Sequence, residues 1–199
     1  PLKGSSFFPL PEALAAKKAI VNVQNKDQEC FKWAILSALF PAPHKAERLG
    51  HYKEHHDKLD WSGLNFPVQL DKIALFERRN SISVNVYGCD VKKGQCAPHP
   101  LRLSKTAEAK KHIDLLLLED AGAGSHYCWI KNFSRFAAQN SNRNKAHYCK
   151  HCLHGFPSQQ KLGEHLQNGC RAITEARPEE AKRRVWNSRT TTSSTKPRL

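Results

Sequence analysis

The sequence predicts an α+β domain followed by a small separate unit and a charged tail. Three observations predict it. An early run of apolar residues at helical spacing precedes several strand-sized apolar runs, and one helix followed by several strands is the order of an α+β domain, here from about 17 to 138. Three of the seven cysteines crowd between Cys149 and Cys170, beyond a polar linker at 139–146. The chain after 170 is charged and then rich in Ser and Thr, as in disordered segments.

Taken in order, residues 1–16 read as a lead-in, with Pro9 and Pro11 opposing regular structure. Residues 19–23 read as a short strand. Asn25-Lys26-Asp27 is a turn with capping chemistry, and a helix follows from about Glu29. Its core face is Phe31, Ala34, Ile35, Ala38 and Leu39, and Pro41 and Pro43 end it. Residues 44–58 read as a polar, His-rich helix, and 70–79 as a short amphipathic one. Strands follow at 82–87, near 101–103, at 113–118 and at 127–131, with a short helix at 133–138. Residues 89–100 read as a connection with Cys89 and Cys96 as free thiols.

Composition points outward as well. The formal net charge is +14. From residue 140 onward there are 12 Lys/Arg against 4 Asp/Glu, a balance of +8, so more than half of the net charge lies in the last third. Such a balance favours nucleic acid, with DNA at low specificity the expected partner, or another polyanion. No apolar run approaches membrane-spanning length, and no signal peptide is visible. Clustered cysteines in odd number fit metal binding in an intracellular, reducing compartment, the nucleus included, better than a secreted disulfide framework. The chain opens at Pro1 and contains no Met, which reads as a fragment or a processed piece.

Cys149, Cys152, His165 and Cys170 form a Cys-x2-Cys-x12-His-x4-Cys pattern. Zinc takes four such ligands in a tetrahedron, so zinc is the expected cofactor. A tight turn lets Cys149 and Cys152 share a metal, and a helix returns His165 and Cys170 to it. Phe156 and Leu162 fall where a miniature core is needed, and Pro157-Ser158 starts the helix. The segment 147–170 resembles the common ββα zinc finger of two cysteines and two histidines, with Cys170 as the variant last ligand. In such fingers the positions facing bases would here be Ser158, Lys161 and Glu164. A single finger covers about three base pairs, so a purely structural or protein-binding finger stays an equal alternative.

Asp27-Gln28-Glu29-Cys30-Phe31 places a cysteine at a helix start, where unpaired amides favour the thiolate. Ser125-His126-Tyr127 places a histidine at a strand start. The pair, in that chain order, resembles papain-like folds and, more narrowly, the nucleophile and histidine motifs of OTU-type deubiquitinases. The resemblance implies Cys30 as nucleophile, His126 as base and backbone near Asp27 in the oxyanion hole, with Gln24 as a second candidate there. Asn132 is a candidate to orient the histidine, and Cys128 shares its strand face. Gln28 departs from the glycine usual in that family. A ubiquitin-like or polyprotein substrate would follow.

The order of these segments, from "IVNVQNKDQECFKWAIL" through "HIDLLLL" and "HYCWIKNFSR" to the finger, is similar to the region upstream of the polymerase domain in Maverick/Polinton-type transposon DNA polymerase proteins. The resemblance implies a mobile-element protein in a nucleic-acid context. No Asp-rich polymerase motif occurs, and no polymerase activity is expected. Three function classes remain: a zinc-binding nucleic-acid-associated protein, a cysteine hydrolase using Cys30 and His126, and a non-catalytic interaction module.

Overall fold

The computed structural model describes residues 7–92, 95–106, 109–120, 124–138 and 146–170. The chain is mixed α+β, built on a five-stranded sheet in the order β1-β5-β4-β2-β3. The strands are β1 Ile20–Val21, β2 Ile82–Lys92, β3 Gln95–Arg102, β4 Lys111–Asp120 and β5 Gly124–Ile130. Among the described residues the β2/β4 pair is parallel and the other pairs of this sheet run antiparallel.

Strand β4 lies inside the sheet and is covered on both faces, which explains its unbroken apolar run. Leu115 and Leu117 enter one core with Phe31, Ile35, Phe76 and Tyr127. Leu116 and Leu118 enter a second, on the other face, with Leu14, Tyr87, Cys128 and Phe136. The first face is covered by helices α2 (Cys30–Leu39) and α3 (Ile73–Asn80). The second is covered by α1 (Glu12–Ala15) and α4 (Phe133–Ala137).

Helix α1 lies in the stretch read as a lead-in, starting directly after Pro11, where proline's fixed φ suits a first turn. The expected helix at 44–58 is instead two 3-10 turns, Leu49–His51 and Lys53–Lys58, held against the core by the fully buried Tyr52. A polar stretch with one apolar anchor has no stripe to bury along a regular helix. The expected connection at 89–100 is mostly ladder, because β2 and β3 form a long hairpin. Cys89 and Cys96 are disulfide-bonded there, which corrects their reading as free thiols. Among the described residues no helix is long and apolar enough to cross a membrane. Residues 139–145 of the linker and the charged end at 171–199 lie outside the described residues.

Candidate functional site

The finger is a ββα unit: β6 (His147–Tyr148), β7 (Gly155–Phe156) and α5 (Gln159–Gln167). His147 pairs with Phe156 and Tyr148 with Gly155. A Cβ at Gly155 would meet the Tyr148 ring at 3.1 Å, a contact that only a shift of the ring by a few tenths of an ångström would relieve. The Cys149 N–H donates to the His154 carbonyl, and the Leu153 N–H to the Cys149 carbonyl, closing the turn between the first two ligands. Ser158 caps α5 by accepting from the Lys161 N–H at 3.2 Å. At the far end Gly169 adopts φ +78°, a left-handed conformation open to glycine. That bend turns the chain back and explains why the final ligand lies five positions after His165.

The donor atoms of Cys149, Cys152, His165 and Cys170 lie within 4.8 Å of one another. The Cys149 and Cys170 sulfurs are 3.8 Å apart, and the Cys152 sulfur is 3.5 Å from His165 Nε2. A metal ion bonded tetrahedrally to sulfur at about 2.3 Å and to nitrogen at about 2.0–2.1 Å sets edges of about 3.8 and 3.5 Å. The two distances match those edges, so this Cys3His group can hold a metal ion. Phe156 and Leu162 pack beside it as expected, with the Phe156 and His165 rings 4.8 Å apart.

The two thiols of the Cys149–Cys152 turn share one proton. The Cys149 pKa is pushed down by the hydrogen bond from the Cys152 thiol, and then by the N–H groups of Cys152 and His151 directed at its sulfur. Cys152, holding the shared proton, is pushed up in turn.

The α5 positions expected from the sequence to face bases have partners of their own. Lys161 Nζ lies 2.8 Å from Glu164 Oε2, and the Ser158 oxygen accepts the cap bond. The finger also rests on the sheet. Tyr87 donates from its hydroxyl to the Lys150 carbonyl at 2.9 Å, and Lys150 Nζ meets Asp114 at 2.6 Å.

Cys30 and His126 come to the same stretch of β5 from different sides. Cys30 is 2% exposed and packs in the core with Tyr127. Side chains alternate along a strand, so His126 and Cys128 face away from Tyr127. His126 contacts the Phe7 and Phe8 rings and donates from Nε2 to Asn22 Oδ1 at 2.9 Å. The Asn22 Nδ2 group donates to the Phe8 carbonyl, which fixes the amide's orientation and therefore the proton on Nε2.

Sequence reasoning missed Asn22 as the residue holding His126. An asparagine after a short strand carries no signal for a partner 104 positions away. Asn132 instead caps α4 by accepting from the Arg135 N–H at 3.0 Å.

The expected lowering of the Cys30 pKa by its helix start is not what the fold produces. Burial dominates and pushes the thiol up to about 11, against help from the N–H groups of Tyr127 and Phe31. The Asp27 carboxylate adds to the upward push. That carboxylate is itself occupied: it accepts from the Glu29 N–H at 2.9 Å, the Trp33 indole at 3.0 Å and the Asn25 amide. Cys128 is fully buried and also pushed up. Gln24 lines an open groove of about 620 Å³, with Asn22, Phe7, Lys45 and Lys131. Among the described residues, His51, His55 and His56 form no metal cluster.

Comparison of the chain with protein-family models, curated proteins and solved structures finds no significant match.

Proposed function

We propose that this chain is a zinc-binding protein whose Cys3His finger is built onto an α+β domain, and that it associates with nucleic acid through charge rather than base reading. The observation that carries the zinc assignment is the pair of donor separations, 3.8 Å for sulfur–sulfur and 3.5 Å for sulfur–nitrogen. Three thiolates and one imidazole suit zinc's preference for nitrogen and sulfur, and four protein ligands leave no open position for catalysis. The zinc would therefore be structural, held by Cys149, Cys152, His165 and Cys170.

Charge supports the second half. The net +14 favours a polyanion, while Ser158, Lys161 and Glu164 are engaged within the finger. Binding of this kind weakens steeply with salt and tolerates any sequence. The order of segments supports an origin beside a transposon polymerase, and hence an intracellular setting, the nucleus included.

Metal analysis of the purified chain tests the first half, with one zinc per chain expected. Fluorescence anisotropy with two unrelated DNA duplexes tests the second. Equal affinities falling together between 50 and 200 mM salt support it; a strong preference for one duplex, or no binding at low salt, rejects it.

A second reading is a papain-like cysteine hydrolase. Its support is the Asn22–His126 bond, the histidine and asparagine part of such a set, although Cys30 packs with Tyr127 on the face of β5 turned away from His126. Its obstacle is Cys30, buried and protonated at neutral pH.

A further inference from the structure

Lys150 stands between the ligands Cys149 and Cys152, in the turn that carries both. Its peptide bond to His151 is held at both ends. The carbonyl accepts from the Tyr87 hydroxyl at 2.9 Å, while the N–H of the same peptide is directed at the Cys149 sulfur. A trans peptide is planar, with its carbonyl and N–H pointing in opposite directions. Fixing the carbonyl therefore aims the N–H.

The sheet fixes this peptide rigidly. Tyr87 is fully buried and stands where the β2/β3 register shifts, and its oxygen also accepts from Asn85 Nδ2 at 3.1 Å. The Lys150 side chain is pinned as well. Its ammonium meets Asp114 Oδ2 at 2.6 Å and lies 5.6 Å from the centre of the Phe133 ring. Asp114 is in turn bonded to His112 at 2.8 Å, and His112 to Ser83 at 2.7 Å. This chain has the residue types of a serine-hydrolase relay, but Ser83 is 6% exposed and Asp114 is neutralised by Lys150. The network serves the finger's footing.

We propose that Tyr87 and Asp114, on strands β2 and β4, are positioning residues for the metal centre, setting its affinity through the Lys150–His151 peptide. The proposal rests on the zinc reading and deepens it. Partners one step removed from a metal orient its ligands, and losing one typically costs about 10- to 100-fold in affinity. Coupling is reciprocal, so zinc should in turn protect β2 and β4 from local opening.

The test is zinc affinity of the full chain, by competition with a chromogenic chelator, together with the absorption spectrum of the cobalt-substituted protein. Tyr87→Phe keeps the ring and removes only the hydroxyl. It is expected to weaken zinc binding by roughly 10-fold or more and to shift the thiolate-to-cobalt band. Asp114→Asn is the second variant should Tyr87→Phe not fold. Tyr52→Phe is the control: its buried hydroxyl donates to the Ala46 carbonyl at 2.6 Å in a separate cluster. A wild-type chain that takes neither metal sinks the zinc reading, and this proposal with it. Normal wild-type binding with unchanged affinity in Tyr87→Phe and Asp114→Asn overturns the proposal alone. So does an equal loss in Tyr52→Phe, since general destabilisation would then account for the effect.

Discussion

Cys149 opens a turn and Cys30 follows one, and both are nearly inaccessible, yet their thiols are pushed in opposite directions. Cys149 is surrounded by donors: the Cys152 thiol and two backbone N–H groups lower its pKa. Cys30 opens a ten-residue helix, the position usually credited with making thiolates, and is still pushed up to about 11. Burial removes water from a developing charge, and the amides near Cys30 do not replace what is lost. The N–H groups directed at the Cys30 sulfur thus do not offset its burial, whereas at Cys149 the neighbouring Cys152 thiol is the largest influence and tips the balance downward.

The largest effect that would break this contrast lies in the finger. Cys170→Ser should lower zinc affinity by well over the roughly 100-fold typical of losing a supporting residue, as read by chelator competition. Retained tight binding would mean that another side chain, such as His147 or His154, supplies the fourth ligand.

Next comes the pH dependence of the domain around Cys30. Its pKa is raised on folding, from 9.0 to about 11. A raised pKa contributes stability that is full below pH 9 and is lost as pH climbs toward 11. Two pKa units correspond to about 3 kcal/mol. Urea unfolding between pH 8 and 11 should show this decline, and Cys30→Ala should flatten part of it, with Cys128, Tyr52, Tyr87 and Tyr127, all pushed up by burial, contributing to the remainder. Alkylation followed by mass spectrometry with zinc saturating should find Cys30 inert at pH 7. Rapid modification there, lost in His126→Ala, would restore the hydrolase reading.

A smaller effect attends Asp27. Its carboxylate ties the Glu29 N–H, the Asn25 amide and the Trp33 indole into one turn. Asp27→Ala should cost about 2 kcal/mol in urea unfolding, because hydrogen bonds to a charged group are the stronger kind. A cost near zero would show that the turn holds itself. The smallest is Ser158→Ala, which removes the α5 cap and should cost the finger about 1 kcal/mol while leaving DNA affinity unchanged. A loss of sequence preference in that variant would return Ser158 to a base-reading role.

Much of this was legible in the sequence because its causes are local. Ligand spacing, the apolar pair Phe156 and Leu162, and the helix start at Ser158 are properties of about two dozen adjacent residues, and the fold reproduces them. The helix from about Glu29 and the Leu115–Leu118 strand were equally readable, since burial leaves its period in the chain. The polar stretch at 44–58 misled because helical propensity without an apolar stripe does not decide between regular helix and 3-10 turns.

By itself, then, the sequence determined which residues can gather around a metal and where the core helix and strands lie, because neighbours in the chain carry those signals. Only the tertiary structure decided which face of β5 His126 occupies, that Asn22 holds it, and that burial silences Cys30. It also decided that Tyr87 and Asp114 stand beneath Lys150. These outcomes come from strand order and register, which bring residues many positions apart within hydrogen-bonding reach, and no local pattern records such pairings.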